Sequence, residues 1–304
     1  MNDPVIAAQR AALLDLYRRH APPPGAPYAL VDFPDHPNVG DSAIWLGEIA
    51  LLREVGAGDP AYVCRWDDFD EGAFRAACPG GPILIHGGGN LGDIWPHHQH
   101  FREALLTRFP DRRIVQLPQS IRFRDPANRD RFAATVARHP DFQLCVRDDA
   151  SLAEARAHFA CPSEFAPDSA FGLGALARPV EPDCDVLMLL RSDAERAARD
   201  DGGLRALRGA VALDWLEEEP VTATDPTERA RQRVARGLRL LSRGDRIVTD
   251  RLHGHILALL LGIRHIILDN DYGKVAAYHA AWTAGSPLVR QAATAEEALA
   301  GLMA

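Results

Sequence analysis

The chain has 304 residues, of which 47% are hydrophobic and 25% are charged, and its formal net charge is -8 at pH 7. These values are typical of a globular protein with room for two cores, and the acidic balance argues against nonspecific nucleic-acid binding. The five cysteines form no CxxC pair, which argues against a disulfide framework and a cysteine-ligated zinc site.

The N-terminus lacks a basic segment followed by an apolar run, so no signal peptide is evident. The longest apolar stretch, 256–263, is shorter than the roughly 20 residues that a bilayer requires. We therefore expect a soluble, cytoplasmic protein.

Apolar runs and amphipathic segments alternate along the chain. The pattern predicts strands at 28–33, 61–64, 83–86, 114–117, 142–147, 186–191, 209–213, 246–250 and 265–268. It predicts helices at 5–20, 41–55, 97–109, 127–138, 150–159, 226–241, 256–262 and 293–302. Strands alternating with helices indicate right-handed βαβ units and parallel sheets.

A segment at 175–185, with Pro179, Pro182 and several charges, is interpreted as a linker. The sequence thus predicts an α/β fold of two doubly wound, Rossmann-like domains, 1–176 and 177–304, with the last helix free to pack back on the first domain. Ligands of such folds bind beyond the carboxyl ends of strands, and we expect a cleft between the domains.

The segment NVGDSAI, residues 38–44, connects the first predicted strand to the next helix. Asp41 or Ser42 is a natural N-cap for that helix. Because the segment lies at the ligand-binding end of a sheet, Asp41 is also a candidate for holding or orienting a substrate group. Capping alone is the alternative.

A glycine-rich motif, HGGGNLGDIWPHHQ at 86–99, follows the third predicted strand. Gly87, Gly89 and Gly92 fit the dinucleotide spacing GxGxxG, but Pro96 would fall inside the phosphate-binding helix. We predict instead a glycine loop and a turn that together bring two histidines to a helix start. Glycines there allow backbone N–H groups to approach ligand oxygens. A tight turn without a ligand is the alternative.

Two motifs close strands at the end of the first half. Arg147 ends a strand in VRDDAS, where Asp148 or Asp149 is expected to cap the following helix. Asp168 lies in APDSA and ends the half. For Asp168, capping a turn is again the alternative to a role in the site.

The part of the predicted helix region from about 228 to 243 is rich in arginine. The arginines recur at helical spacing on one face, at Arg229, Arg233, Arg236, Arg239 and Arg243. A solvated face over a buried one is the favoured interpretation. Docking to an anionic membrane or a phosphorylated carrier is the functional alternative.

The segment TDRLHGH, residues 249–255, joins a predicted strand to an apolar helix. The start of that helix offers unpaired N–H groups and a positive dipole end, which suit an anion. Arg251 and His253 are the candidates for function, and His255 is interpreted as structural. The two histidines should diverge, and no third ligand is near, so we expect no metal site. Sequence motifs for P-loops, zincins and nucleophile elbows are absent.

Taken in order, the motifs NVGDSAIWLGE, HGGGNLGDIWPHHQ, LPQSI, VRDDAS, APDSAFGLG and TDRLHGHILALLLG resemble the polysaccharide pyruvyl transferase family. The resemblance spans about residues 28–278. Each motif is loose, but the ordered set is specific.

The resemblance implies a GT-B-like fold, in which two Rossmann-type domains face each other across a cleft. It also implies transfer of a pyruvyl group from phosphoenolpyruvate to a pair of sugar hydroxyls in an exopolysaccharide or its precursor. The products are a cyclic ketal and phosphate. In the family, an RLH triplet and an upstream histidine and arginine serve the site. Arg251 and His253 match the triplet, Arg147 matches the arginine, and His98 matches the histidine better than His97 does.

The residue types fit this chemistry. Arginine binds carboxylate and phosphate bidentately, so Arg147 and Arg251 are expected to clamp the donor. His98 and His253 would divide the acid and base roles in an order left open. Further donor contacts are expected from Gly88, Gly89, Asn90 and Gly254. The carboxylates expected to hold acceptor hydroxyls or orient a histidine are Asp41, Asp93 and Asp168.

No cofactor is expected, since phosphoenolpyruvate is the donor substrate. The expected partners are a glycan or lipid-linked saccharide and, peripherally, the inner membrane. One alternative is a GT-B glycosyltransferase that uses a nucleotide sugar, because fold does not fix function. Another is a non-catalytic member of a polysaccharide assembly.

Overall fold

The computed structural model describes residues 3–191, 197–216, 221–271 and 273–303. The chain divides into two compact units. The N-terminal unit comprises Ala11–Asp35 and Ile44–Gly172. The C-terminal unit comprises Leu173–Ala304 together with two earlier segments, Met1–Arg10 and His36–Ala43, which the sequence placed in the first domain.

The N-terminal unit contains a parallel sheet of seven strands. The order is β2-β1-β3-β5-β6-β7, and β4 pairs with β5 beside this path. The strands are β1 (Ala29–Val31), β2 (Tyr62–Cys64), β3 (Ile83–Ile85), β4 (Gly88–Gly92), β5 (Ile114–Arg122), β6 (Phe142–Val146) and β7 (Ser163–Phe165). All strands of such a sheet present their carboxyl ends at one edge, where side chains from separate parts of the sequence meet.

The helices of the first half include the five that the sequence predicts and one more, α3, that it does not. They are α1 (Pro4–His20), α2 (Val39–Glu54), α3 (Glu71–Ala77), α4 (Pro96–Arg108), α5 (Pro126–Val136) and α6 (Asp149–His158), with a 3-10 turn at Ser169–Leu173. Pro96 and Pro126 occupy helix starts, where the missing N–H of proline costs nothing. Aromatic rings such as Phe74, Phe109 and Phe132 fill the core against the sheet.

The C-terminal unit contains a parallel sheet of five strands in the order β12-β11-β10-β8-β9. These are β8 (Cys184–Leu189), β9 (Ala210–Leu213), β10 (Gly244–Thr249), β11 (His265–Ile267) and β12 (Val289–Gln291). Its helices are α7 (Gly202–Arg205), α8 (Pro226–Ser242), α9 (Leu252–Leu260), α10 (Lys274–Tyr278) and α11 (Ala295–Met303), with a π-helical turn at His279–Thr283. The two parallel sheets confirm the predicted α/β class.

The structure bears on two expectations about helices. Ala298 and Leu302 of the last helix, α11, lie in the core of the C-terminal unit. The arginine-rich face of α8 is not uniformly solvated. Arg233 and Arg236 are buried, and Arg236 donates through Nη2 to the carbonyl oxygens of Pro37 and Trp215, at 3.2 and 2.5 Å.

The five cysteines are free thiols. Among the residues that the structure describes, no helix has the length and apolar character needed to cross a membrane. Within the same ranges, no cluster of three or more histidine, cysteine, aspartate or glutamate side chains could hold a metal ion.

A chain of buried histidines lies inside the C-terminal unit. His255 Nδ1 is 2.7 Å from His265 Nε2, and His255 Nε2 is 2.9 Å from Thr283 Oγ1. His265 Nδ1 donates to the carbonyl oxygen of Ile263, and His279 Nδ1 lies 2.8 Å from Thr283 Oγ1. Each of these hydrogen bonds has one donor and one acceptor when all three imidazole rings are neutral. Burial lowers the pKa of His265 to about 4 and also lowers the pKa values of His255 and His279.

This histidine chain predicts acid-sensitive stability. A histidine whose folded pKa lies below its unfolded value of about 6.5 stabilises the fold fully above that pH and loses the contribution as pH falls through it. We expect the free energy of unfolding to drop as pH falls below about 6.5, with His265 contributing up to about 1.4 kcal/mol per pH unit until its folded pKa of about 4. Chemical denaturation of His255→Gln should show a shallower dependence. The exposed His100→Gln variant should keep the original slope; equal slopes in all three proteins would contradict the prediction.

Candidate active site

His98 and Asp32 form a buried pair at the carboxyl edge of the N-terminal sheet. Asp32 directly follows β1, and His98 is the third residue of α4. The Asp32 Oδ1 atom lies 2.7 Å from His98 Nδ1. A carboxylate can only accept here, so Asp32 fixes the tautomer with the proton on Nδ1 and turns Nε2 away from the pair.

A second layer of polar groups holds Asp32. Asn90, on β4, donates from Nδ2 to Asp32 Oδ2 at 3.2 Å. The Asn90 Oδ1 atom accepts from Arg102 Nη2 at 2.9 Å and from Gln119 Nε2 at 2.7 Å. Both partners are donors at these atoms, so the orientation of the Asn90 amide is determined. Networks of this kind, when fully satisfied, make a buried polar arrangement rigid.

The backbone and charge of Asp32 are also unusual. Its φ is 69°, and it is the one non-glycine residue with positive φ in the described ranges. Burial opposes ionisation, but the hydrogen bond and charge of His98, with the charges of Arg102 and His86, hold the pKa of Asp32 below its ordinary value. Strain and a buried charge together are typical of functional sites. Asp32 is therefore an anion at neutral pH.

The predicted glycine loop is a strand. Gly88 and Gly92 lie in β4, with φ of 123° and 134°, and pair with β5. A Cβ atom on Gly92 would lie 1.8 Å from the carbonyl oxygen of Arg122, so only glycine fits. Gly88 and Gly89 precede Asn90 in this strand, and the Asn90 side chain contacts Asp32.

Arg147 and Asp168 form a fully buried ion pair in the N-terminal unit. Arg147 immediately follows β6. Its Nη1 donates to Asp168 Oδ2, and its Nε donates to Ser120 Oγ at 3.0 Å. Asp168 also accepts from the backbone N–H of Ala170 at 2.9 Å. The pair fixes the plane of the guanidinium group, and Asp168 orients Arg147 rather than a histidine.

Asp93 anchors the turn before α4. Its Oδ1 accepts from the backbone N–H of Arg124 at 2.7 Å, and its Oδ2 accepts from the N–H of Asp125 at 2.8 Å. Burial opposes ionisation, but these hydrogen bonds and one from Asn128 hold the pKa of Asp93 below its ordinary value. The structure therefore places Asp93 between the entrances to two helices rather than beside His98.

Arg251 occupies the N-cap position of α9, just beyond the carboxyl end of β10. Its Nη2 contacts both carboxylate oxygens of Asp214, at 3.0 and 3.2 Å, and its guanidinium carbon lies 6.0 Å from the Trp215 ring centroid. Asp214 and Trp215 follow β9. The side chain is therefore held between a carboxylate and an aromatic ring, next to the N–H groups that begin α9.

His253 packs against the start of α2. A Cβ atom on Gly40 would lie 2.3 Å from His253 Nδ1 and 2.4 Å from its Cγ. Gly40 is the second residue of α2 and has no positive φ, so helix geometry does not require glycine there. The absent side chain instead leaves room for the imidazole ring.

Two further expected site residues have local partners. Asp41 Oδ2 lies 2.8 Å from Asn38 Nδ2 and 3.5 Å from His36 Nε2. α2 begins at Val39, so Asp41 lies in its first turn, and Asn38 accepts from the Gly40 N–H instead. A Cβ atom on Gly254 would lie 2.4 Å from Thr249 Oγ1, so this glycine allows α9 to pack closely on its sheet.

Sequence reasoning missed three contributors to these sites. Asp32 was placed inside the predicted first strand, although a carboxylate directly after the apolar run Ala29–Val31 was a usable signal. Gly40 lies in a motif that the sequence analysis singles out, but no role is predicted for this glycine. Asp214 follows a correctly predicted strand, but its pairing with Arg251 depends on a strand order that periodicity does not give.

The sequence profile of the family described as "Polysaccharide pyruvyl transferase" matches residues 38–272. The chain belongs to the polysaccharide pyruvyl transferase family. Pyruvyl transfer in polysaccharide synthesis is thus its general activity, as the motif order predicted. The match includes His98, Arg147, Arg251 and His253, whereas Asp32 lies before it.

Individual relatives agree with this family. "Pyruvyl transferase 1" of Schizosaccharomyces pombe is 33% identical over 285 residues, which cover 86% of this chain and 70% of that protein. "Putative pyruvyl transferase EpsO" of Bacillus subtilis is 31% identical over 280 residues, covering 85% and 86% respectively. The fold resembles a crystal structure of a functionally uncharacterised protein from Klebsiella pneumoniae subsp. pneumoniae, with a TM-score of 0.62, 16% identity, and coverage of 95% of this chain and 99% of that one.

The contact between Gly40 and His253 allows the role of the His253 ring position in this pyruvyl transferase to be tested. Gly40→Ala should lower turnover by about 10- to 100-fold, because the new methyl group displaces the imidazole. Alanine is otherwise the better helix residue by about 1 kcal/mol, so instability is not the expected cause. Steady-state kinetics and thermal unfolding would be measured together. Gly203→Ala in α7, where the nearest atom lies at 3.6 Å, is the matched control. Normal turnover in Gly40→Ala would refute a role for the ring position.

Proposed function

We propose that this protein transfers the enolpyruvyl-derived group of phosphoenolpyruvate to two hydroxyls of one sugar unit, in an exopolysaccharide or its precursor. The products are a cyclic pyruvate ketal and inorganic phosphate. The observation that carries the proposal is the placement of Arg251 and His253 together at the N-terminus of α9, beyond the carboxyl end of β10. A fixed cation, an imidazole and the positive dipole end of α9 there suit a small dianion.

Donor binding is assigned to arginine. Phosphoenolpyruvate carries a carboxylate and a phosphate, and a guanidinium group matches either one bidentately. Arg251 is pre-oriented by Asp214, and Arg147 by Asp168 and Ser120. The donor anion would share Arg251 with Asp214. The proposal includes the GT-B-like arrangement that the resemblance implies, and no cofactor takes part.

The reaction needs one acid and one base. Protonation of the methylene carbon makes the neighbouring carbon electrophilic, and the first sugar hydroxyl adds there as it loses its proton. Phosphate then leaves with the electrons of its C–O bond, and the second hydroxyl closes the ring as its proton is released. Of the two hydroxyl protons, one balances the methyl group formed and the other leaves with phosphate or solvent. His98 and His253 are assigned these transfers, in an order left open.

Phosphate release from phosphoenolpyruvate, assayed against a panel of glycosides and lipid-linked sugars, tests the proposal. We expect release to require an acceptor and to yield a product heavier by the pyruvyl unit in mass spectrometry. Thermal stabilisation by phosphoenolpyruvate but not by UDP-sugars would separate this activity from glycosyl transfer. Stabilisation by UDP-sugars alone would overturn it. A preference for lipid-linked acceptors would support peripheral contact with the inner membrane.

A further inference from the structure

Trp66 is a large aromatic side chain left at the surface of the N-terminal unit. It is 42% exposed, whereas Trp45 and Trp215 are buried. Among the described residues the large hydrophobic side chains with comparable exposure are few, and they are Trp95, Val180 and Met303. The exposed indole offers a large apolar face, with a polar N–H at its edge, to a ligand.

The segment around Trp66 is anchored on both sides. The Arg65 N–H donates to Asp68 Oδ1 at 2.6 Å, and the Arg65 guanidinium is paired with Asp35 at 3.3 Å, Asp67 at 3.0 Å and Asp68 at 3.1 Å. On the other side, Phe69 packs against the core. The exposed ring therefore lies on a fixed loop and is presented in advance to whatever binds it.

The ring lies beside the candidate acid or base. Its centroid is 4.5 Å from that of His97 and 6.4 Å from that of His98. The two imidazoles are themselves 4.3 Å apart. Trp66, His97 and His98 thus form one aromatic surface, and the Asp32-bound imidazole lies at its inner end.

The negative charge near Trp66 favours some classes of ligand over others. The six residues from Trp66 to Glu71 contain four carboxylates, at Asp67, Asp68, Asp70 and Glu71. Two guanidinium groups face them: Arg65 pairs with Asp67 and Asp68, and Arg75 pairs with Glu71, so the segment keeps a net negative charge. Such a surface repels phosphoenolpyruvate, anionic lipid and nucleic acid. It suits a neutral, hydroxyl-rich molecule, because carboxylates accept hydrogen bonds from hydroxyl groups.

We propose that Trp66 is the platform on which the acceptor sugar ring stacks. A pyranose ring has an apolar C–H face that fits the indole and hydroxyls at its edge. Stacked on Trp66, the ring directs edge hydroxyls toward His98 and leaves the donor to the arginines. This assignment rests on the proposed function, since it gives the acceptor of that reaction its binding surface.

The kinetic test separates acceptor from donor. Trp66→Ala should raise the KM of the acceptor at least about fivefold, as the loss of one aromatic contact predicts. The KM of phosphoenolpyruvate should stay within about twofold, and Trp66→Phe should recover most of the loss. Val180→Ala, which removes an exposed apolar side chain elsewhere, is the control. A change in the KM of phosphoenolpyruvate alone, or no change in either KM, would overturn the proposal.

A binding test remains informative if the reaction itself is misassigned. Saturation-transfer NMR would use methyl β-galactoside and methyl β-glucoside with the full-length protein, without phosphoenolpyruvate. Transfer to sugar ring protons that is strong with the wild type and lost in Trp66→Ala supports the platform even if no acceptor yields phosphate. Equal transfer in both proteins would overturn it. So would a dimer, seen by sedimentation, that Trp66→Ala dissociates while glycoside binding is unchanged.

Discussion

Arg251→Ala is expected to reduce kcat/KM for phosphoenolpyruvate by about 10²- to 10³-fold while the fold is retained, a loss typical of removing one donor that stabilises transition-state charge. The guanidinium stands at the start of α9, where developing negative charge on the leaving phosphate would also meet helix N–H groups. Steady-state kinetics with the donor varied would measure the effect.

The side chain of Arg251 is itself buried, so stability must be followed in parallel. Removing it deletes the ion pair with Asp214, and thermal unfolding should show a modest decrease. Arg251→Lys keeps the charge but loses the planar fork, and we expect it to recover only part of the activity. Arg138→Ala, an exposed arginine of the N-terminal unit, is the control. Near-normal phosphate release by Arg251→Ala in the presence of acceptor would rule out the donor-clamp assignment.

The elements that periodicity predicted well are those with strong local signals. β10 and α9 follow one another as predicted, although α9 begins at Leu252, four residues before the predicted start, and Gly262, with φ of 68°, lies just after the helix as its glycine predicts. Pro96 marked the start of α4 because proline tolerates that position. Such boundaries depend on the residues next to them, so they can be predicted from a single sequence.

The misjudged parts depend on partners far away in sequence. The glycines of β4 look like a phosphate loop, but pairing with β5 draws them into the sheet. The sequence suggests that Arg236 is solvated on the polar face of α8. In the structure its guanidinium group is buried and donates hydrogen bonds to the carbonyl oxygens of Pro37 and Trp215. To predict either case, one must know which segments become neighbours in the fold. Residue spacing alone does not give that information.

The candidate site also has some features that the sequence predicts and others that it does not. Motif order was enough to identify the family, and it offers His98 and Arg251 as candidates. It could not show that Asp32 holds His98, because the two residues are 66 positions apart and the carboxylate lies outside the matched segment. Burial and hydrogen bonding add the groups that position a reactive side chain, and these are visible only in three dimensions.

Asp32→Asn is expected to lower kcat by about 10²- to 10⁴-fold, the range that a misdirected general acid or base produces. Asparagine tolerates the left-handed backbone at this position, so the fold should survive. Asn90 points its NH₂ group at residue 32, because its oxygen is already taken by Arg102 and Gln119. The new amide must therefore turn its own oxygen toward Asn90 and its NH₂ group toward His98.

That orientation reverses the tautomer of His98. With an NH₂ donor facing Nδ1, the imidazole keeps its proton on Nε2, the nitrogen that the wild-type pair turns outward. Nitrogen-15 NMR of the histidine ring should show the Nδ1–H form in the wild type and the Nε2–H form in Asp32→Asn. The KM of phosphoenolpyruvate should change little, whereas a purely structural defect would alter both constants and the melting temperature. An unchanged tautomer together with normal kcat would mean that Asp32 supports the fold of β1 and not the chemistry of His98.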